Sequence, residues 1–283
     1  MDIPDWLPPG RVIAIAGRGE VFVRHYGHHD PTVPTVLLLH GWTASADTQF
    51  LFAYQRLMEH YSVIGVDHQG HGRGLRANEP FDLEQVADDA AAVVRVLGVS
   101  SVISVGYSMG GAINMWLVRK YPDLVRGLVF EATALDWKAS RLERARWWFL
   151  PLLSPVTRAW WFARYVDRGL RLVVHHNQSI GRWMPWITAE ILRNDPRAVV
   201  SAGRALSQHD AARWTSSVGV PAASVITTRD RLVPPRKQRA LATALNCSVF
   251  EIATGHLGAL SHPAEFADAT CAAVADVLVR AAR

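Results

Sequence analysis

The stretch SVISVGYSMGGAINMWLVRKY, residues 101–121, decides the fold. It opens as an uncharged, β-branched run and continues as a helical pattern over about 109–120, which places Ser108 at a sharp turn between strand and helix. Gly106 and Gly110 stand two residues to either side of that serine. A turn this tight brings neighbouring backbone so close that a Cβ would collide. Gly106 lets the strand end tightly, and Gly110 with Gly111 lets the first helical turn pack close to the sheet. The N–H groups of that turn point at any negative charge developing beside Ser108. With a buried strand before it and a helix after it, G-x-S-x-G reads as the setting of a nucleophile and not as a chance pentapeptide.

Outward from this point, the same rhythm repeats. RVIAIA (11–16) and EVFVRHY (20–26) flank Gly17 and Gly19 and read as an N-terminal hairpin. TVLLLH (35–40), SVIGVD (62–67) and RGLVFEA (126–132) are nearly all apolar, as strands buried on both faces should be. Helical patterns at about 46–60 and 82–97 lie between them. Strand and helix in alternation predict a parallel sheet with helices on both faces and right-handed crossovers. The rhythm breaks after Thr133, returns with AASVIT (222–227) and SVFEIA (248–253), and closes with a helix over about 264–281. One α/β unit, residues 1–133 and 215–283, is thus interrupted by a mostly helical insertion over 134–214. Its segments RARWWFLPLL and RAWWFARYV read as helices separated by Pro151 and Pro155.

Composition excludes several classes. Of 283 residues, 49% are hydrophobic and 19% charged, as in a globular chain with a sizeable core. No apolar run is long enough to span a bilayer. The start, MDIPDWLPPG, lacks the basic and then apolar regions of a signal peptide. A formal charge of +5 without a basic helix argues against nucleic acid. Cys247 and Cys271 show neither metal spacing nor a framework of bridges, which points to a reducing cytoplasm.

A serine hydroxyl needs a base. ATGHLGALSHP follows the last strand and offers His256 and His262. His256, directly after the strand and a glycine, is favoured, whereas His262 sits beside Pro263 at a helix start. The acid that orients this imidazole is sought at the end of the preceding strand. VITTRDRLVPP supplies Asp230, whose neighbours Arg229 and Arg231 would keep it ionised. Glu131 and Asp136, in FEATALD, are the rival acids. Donors for an oxyanion come from LLLHGWTASA, where Gly41 lets the N–H of Trp42 turn towards the serine, and from the N–H of Met109. His40 orders that loop or is a core histidine at a strand end.

With these residues in place, the chain resembles the α/β-hydrolase family. The order Ser108, Asp230, His256 is that family's nucleophile–acid–base order, LLLHGW resembles its oxyanion loop, and VDHQGHGRG (66–74) resembles its Asp-x-x-Gly-His-Gly-x-Ser turn, with Gly74 where serine is usual. The resemblance implies an eight-stranded, mostly parallel sheet with a helical lid inserted after the sixth strand. It also implies an acyl-enzyme mechanism without metal or cofactor. Relatives that attack an alkyl carbon carry aspartate at the turn, so Ser108 predicts attack on an acyl carbon. The expected function is a serine hydrolase of carboxylic esters. Carbon–carbon bond cleavage and perhydrolysis by the same three residues are the alternatives, and a non-catalytic binding protein on this fold is a third.

Eight of the protein's 11 tryptophans fall in the insertion: Trp137, Trp147, Trp148, Trp160, Trp161, Trp183, Trp186 and Trp214. A small helical cap needs such side chains for a core. They also suit an apolar acyl pocket or, with the many arginines alongside, weak peripheral contact with an anionic membrane. HHNQ (175–178) reads as a helix cap or as polar contacts to a substrate.

Overall fold

Eight strands form one sheet: β1 Gly10–Ile15, β2 Gly19–Tyr26, β3 Thr35–Leu39, β4 Ser62–Val66, β5 Val102–Tyr107, β6 Val125–Glu131, β7 Ala222–Thr227 and β8 Ser248–Ile252. Their spatial order is β1-β2-β4-β3-β5-β6-β7-β8. The β1–β2 hairpin and the β2–β4 pairing are antiparallel, and every pairing from β4 through β8 is parallel. The computed structural model describes residues 3–137 and 178–282 and, between them, 141, 145, 168, 169 and 172.

The apolar strands divide their side chains between two cores, as the two-residue period of a strand requires. From β3, Leu37 and Leu39 enter one core, while Val36 and Leu38 enter the other. Helices α1 Ala46–Gln49, α2 Ala53–Met58, α3 Leu83–Val96 and α4 Met109–Lys120 occupy the connections as far as β6. On one face α3 and α4 pack together, α3 also meeting β1 and α4 meeting β5 and β6.

Three described helices, α5 Gln178–Gly181, α6 Met184–Leu192 and α7 Pro196–Gln208, lie between β6 and β7, followed by a 3₁₀ segment Ala212–Ser217. The helical insertion therefore follows the sixth strand. The chain then adds α8 Pro235–Ala244, α9 Gly258–Ser261 and α10 Pro263–Ala281, the last of which covers the second face with α2.

Two details differ from the sequence reading. The helix expected over 46–60 is broken at Phe50–Phe52. Consecutive apolar residues there serve different cores: Phe50 packs under the sheet, and Leu51 packs against the insertion. A continuous helix could not send both inward. The second difference is α8, a helix not read from the sequence although Pro234 and Pro235 mark its start.

The insertion is anchored to the core. Ala202 and Leu206 of α7 enter the larger core, while Ile180, Trp183, Met184, Trp186 and Ile187 form a third cluster with Leu51 and Leu260. The described tryptophans of the insertion face inward: Trp137, Trp183 and Trp186 are buried, and Trp214 packs edge-on against Trp116 at 4.5 Å. Trp147, Trp148, Trp160 and Trp161, the tryptophan-rich segments apart from residue 145, and residues 175–177 lie outside the described residues.

Charged groups add a second anchor. Asp47 of α1, itself 1% exposed, accepts from Arg24 at 2.7 Å and from Arg73 at 2.8 Å, and the same Arg73 nitrogen lies 2.9 Å from Glu190 of α6. Nearby, the buried Asp67 receives the backbone N–H groups of Ala46 and Arg73. Burial, reinforced by Asp47, pushes its carboxyl up to about 7. The VDHQGHGRG turn is thus a structural hub. At Gly74 any Cβ would meet the His68 carbonyl at 2.2 Å, so the serine usual there in the resembled family has no room.

Candidate active site

Ser108 sits between β5 and α4 with φ 52° and ψ −111°. A positive φ is strained for a non-glycine residue. The surroundings enforce it: the Ser108 N–H donates to the Glu131 carbonyl at 2.8 Å, and its own carbonyl accepts from the Gly111 N–H at 3.0 Å and the Thr133 hydroxyl at 2.6 Å. The fencing glycines have the reason expected of them. A Cβ at Gly106 would meet the Gly110 carbonyl at 2.4 Å, and one at Gly110 would meet the Leu39 carbonyl at 1.9 Å.

Ser108, Asp230 and His256 converge at the ends of β5, β7 and β8. His256 Nε2 lies 3.1 Å from Ser108 Oγ, and its Nδ1 lies 2.7 Å from Asp230 Oδ2. A carboxylate can only accept, so Nδ1 carries the proton and the Nε2 lone pair faces the hydroxyl. The Tyr107 hydroxyl donates to the His256 carbonyl at 2.5 Å and pins that loop to the strand bearing Ser108.

Asp230 is buried and saturated with donors. Its Oδ1 accepts the N–H groups of Leu232 and Val233 at 2.8 and 2.9 Å, and its Oδ2 accepts the Thr227 hydroxyl at 2.9 Å and Gln238 Nε2 at 3.3 Å. Burial alone would raise its pKa, but His256, the Val233 N–H and the Thr227 hydroxyl outweigh it and hold the carboxyl below its ordinary value. The flanking Arg229 and Arg231, expected to keep it ionised, are not among these causes. Gln238 of α8 also donates to the Thr227 hydroxyl at 2.9 Å and to the Val233 carbonyl at 2.8 Å, and accepts the Thr227 N–H at 3.0 Å. The sequence reading missed Thr227, Gln238 and Tyr107.

The rival residues are engaged elsewhere. Glu131 is buried at the end of β6, where it accepts from Thr270 at 2.6 Å and burial pushes its carboxyl up to about 8. Asp136 pairs with Lys237 at 3.0 Å. His262 stands at the N-cap position of α10, with its ring directed to Thr254 and Ser261.

The loop after β3 is ordered by His40. The His68 N–H donates to His40 Nε2 at 3.0 Å, so Nδ1 carries the proton and donates to the Gly41 carbonyl at 2.8 Å. Burial, with His68 and His71 beside it, holds His40 well below the usual imidazole range and therefore neutral. In a trans peptide N–H and C=O point in opposite directions. Fixing the Gly41 carbonyl on His40 thus turns the N–H of Trp42 away from His40. A Cβ at Gly41 would lie 3.4 Å from the Cβ of Ser108, so this loop abuts the serine. Met109 is the first residue of α4, and its N–H has no acceptor within the helix.

Ser108 and His256 open into a cavity of about 400 Å³, walled by Trp42, Ile191, Leu192, Val199, Leu257 and Leu260, with Gln49 and Asn194 among its polar residues. No Lys, Arg, Asp or Glu is among the described residues that line it. No group of three or more His, Cys, Asp or Glu suited to a metal occurs among the described residues.

A family model described as alpha/beta hydrolase fold matches residues 34–263, and the chain belongs to that family of hydrolases. A pimeloyl-(acyl-carrier protein) methyl ester esterase from Neisseria meningitidis is 30% identical over 245 residues, 83% of this chain and 91% of that protein. A bifunctional esterase/perhydrolase from Acinetobacter calcoaceticus is 36% identical over 107 residues, which is 37% of each chain. Among solved structures, the enol-lactonase from Burkholderia xenovorans LB400 aligns with a TM-score of 0.80 at 19% identity, covering 93% of this chain and 98% of that one. At that identity the likeness is one of fold.

Proposed function

We propose that this protein is a serine hydrolase of carboxylic esters with neutral, apolar acyl groups. One observation carries the reading: the chain of contacts from Ser108 Oγ through His256 to Asp230, at 3.1 and 2.7 Å, opens into a cavity with no charged side chain among its described lining. His256 Nε2 removes the Ser108 proton as Oγ attacks the acyl carbon, while Asp230 steadies the imidazolium. The N–H groups of Trp42 and Met109 receive the oxyanion, a task supported by the peptide orientation that His40 imposes. The imidazolium then gives its proton to the leaving alcohol. Water, deprotonated by the same nitrogen, releases the acid and restores Ser108.

Residues 134–214 serve as the cap over this cavity. Their described tryptophans face inward, so contact with an anionic membrane would fall to Trp147, Trp148, Trp160 and Trp161; failure to co-sediment with anionic vesicles at low salt removes that role. No helix among the described residues is long and apolar enough to cross a membrane. A reducing compartment suits the two free cysteines, whose thiols burial pushes up to about 12 and makes unreactive.

The test is labelling by a fluorophosphonate together with hydrolysis of p-nitrophenyl esters of graded chain length, compared with diketones and peroxide. Labelling of the wild type but not of Ser108→Ala, with turnover of esters, is expected. Equal labelling of both would remove Ser108 from its role, and turnover of diketones alone would move the reading to carbon–carbon cleavage.

A further inference from the structure

The loop that bears Trp42, and the turn at residues 66–74 beside it, are tied to the insertion by several hydrogen bonds. Asn194, between α6 and α7, donates from Nδ2 to the Thr43 carbonyl at 2.7 Å and accepts the Gly72 N–H on Oδ1 at 2.7 Å. Next to it the Asp195 N–H donates to the Gly70 carbonyl at 2.8 Å, and Arg76 reaches the Arg193 carbonyl at 2.9 Å. The Trp42 indole Nε1 donates to the Val199 carbonyl of α7 at 2.8 Å. Thr43 itself has φ 65°, a left-handed conformation that a β-branched residue adopts only when its surroundings over-determine it.

We infer that Asn194 is a positioning residue for the oxyanion donor at Trp42, so that the insertion sets the activity of the core as well as walling the pocket. The geometry has two halves. His40 fixes the near side of the loop through the Gly41 carbonyl, and Asn194 fixes the far side through the Thr43 carbonyl. Trp42 lies between them with its indole tied to α7. Without the Asn194 amide, nothing described holds the Thr43 carbonyl, and Thr43 can relax to negative φ and swing the adjoining peptides. Ground-state binding uses the cavity walls and changes little. The transition state needs an N–H aimed at the oxyanion and is the state that suffers. This inference rests on the serine-hydrolase reading above.

The experiment compares Asn194→Ala and Asn194→Asp with the wild type on one p-nitrophenyl ester, together with inhibition by an alkyl trifluoromethyl ketone, whose adduct with Ser108 places an oxyanion at those donors. Asn194→Asp keeps the acceptor for Gly72, sets a carboxylate oxygen against the Thr43 carbonyl in place of the donor, and adds a negative charge to the cavity wall, whereas Asn194→Ala removes the amide without adding charge. Each variant is expected to lose about 10- to 100-fold in kcat, with KM within about twofold. The affinity for the trifluoromethyl ketone should fall by the same factor as kcat. If Asn194→Ala does not fold, the uncharged Asn194→Ser, which shortens the side chain away from the Thr43 carbonyl, takes its place. Wild-type kcat in a folded variant overturns the inference. So does a fall in kcat with undiminished ketone affinity, which would reduce Asn194 to a stabilising contact. Loss of all ketone sensitivity in the wild type would instead strike at the serine-hydrolase reading.

Discussion

Substituting Asp230→Asn tests the arrangement at its least exposed member. Both oxygens of Asp230 only accept: Oδ1 from two backbone N–H groups, and Oδ2 from His256 Nδ1, the Thr227 hydroxyl and Gln238 Nε2. An asparagine must turn its NH₂ towards one of these sets. The N–H groups of Leu232 and Val233 are fixed by the backbone, so the amide oxygen stays with them and the NH₂ faces His256. The imidazole then accepts at Nδ1 and carries its proton on Nε2, pointing a donor at Ser108 where a base is needed. Loss of the productive tautomer lowers kcat by about 10⁴, equivalent to about 5.4 kcal/mol of barrier. The assay is ester hydrolysis at neutral pH, with a thermal melt to verify folding and a fluorophosphonate time course to follow the nucleophile. A folded Asp230→Asn protein with kcat within tenfold of wild type would refute the reasoning.

Other substitutions probe the frame. Gly110→Ala places a Cβ 1.9 Å from a backbone carbonyl, which no rotamer can relieve, so the protein is expected to lose more than about 3 kcal/mol in urea denaturation or to fail to accumulate as soluble protein. Arg73→Met removes the cation shared by the buried carboxylates of Asp47 and Glu190, which keep Arg24 and Arg193 respectively, and should lower stability by about 1–3 kcal/mol in urea denaturation. Glu131 gives a pH signature. Its carboxyl is raised from 4.5 to about 8, so it stays protonated in the folded state after the unfolded chain has ionised. Its contribution is fully present below pH 4.5 and is lost as pH rises from there to about 8. Glu131→Gln, which keeps an oxygen for Thr270, should therefore gain on the wild type across that window by up to about 1.4 kcal/mol per pH unit. Parallel urea titrations at pH 5 and pH 8 check the sign, and an advantage that shrinks with rising pH would contradict it.

What could be read in advance was local. The apolar runs of β3 to β6, Ser108 between its glycines, and His256 after β8 each follow from a few neighbouring residues, because strand burial and turn sterics act at short range. Asp230 was preferred over Glu131 and Asp136 by its position at a strand end, and the structure brings it to His256. The source of its low pKa was not legible. It comes from His256, the Val233 N–H and the Thr227 hydroxyl, which meet only in the folded loop; Gln238, which also reaches Oδ2, stands on a polar helix passed over in the sequence although a proline pair opens it. The break between α1 and α2 depends on which of two cores each apolar side chain enters, and a periodicity cannot say. Asn194 and Val199 meet the Trp42 loop across some 150 residues of chain, and no local pattern records such a meeting.

The stitching of α7 to the oxyanion loop bears on how such enzymes can be re-engineered. Exchanging cap segments between relatives is an attractive way to change substrate range, since the cap supplies much of the pocket wall. Here a transplanted cap that lacked an amide at position 194, or a free carbonyl to meet the indole of Trp42, would import a new pocket and at the same time detune the catalyst beneath it. Chimaeras designed with their crossover points outside residues 190–199 would keep the two functions together.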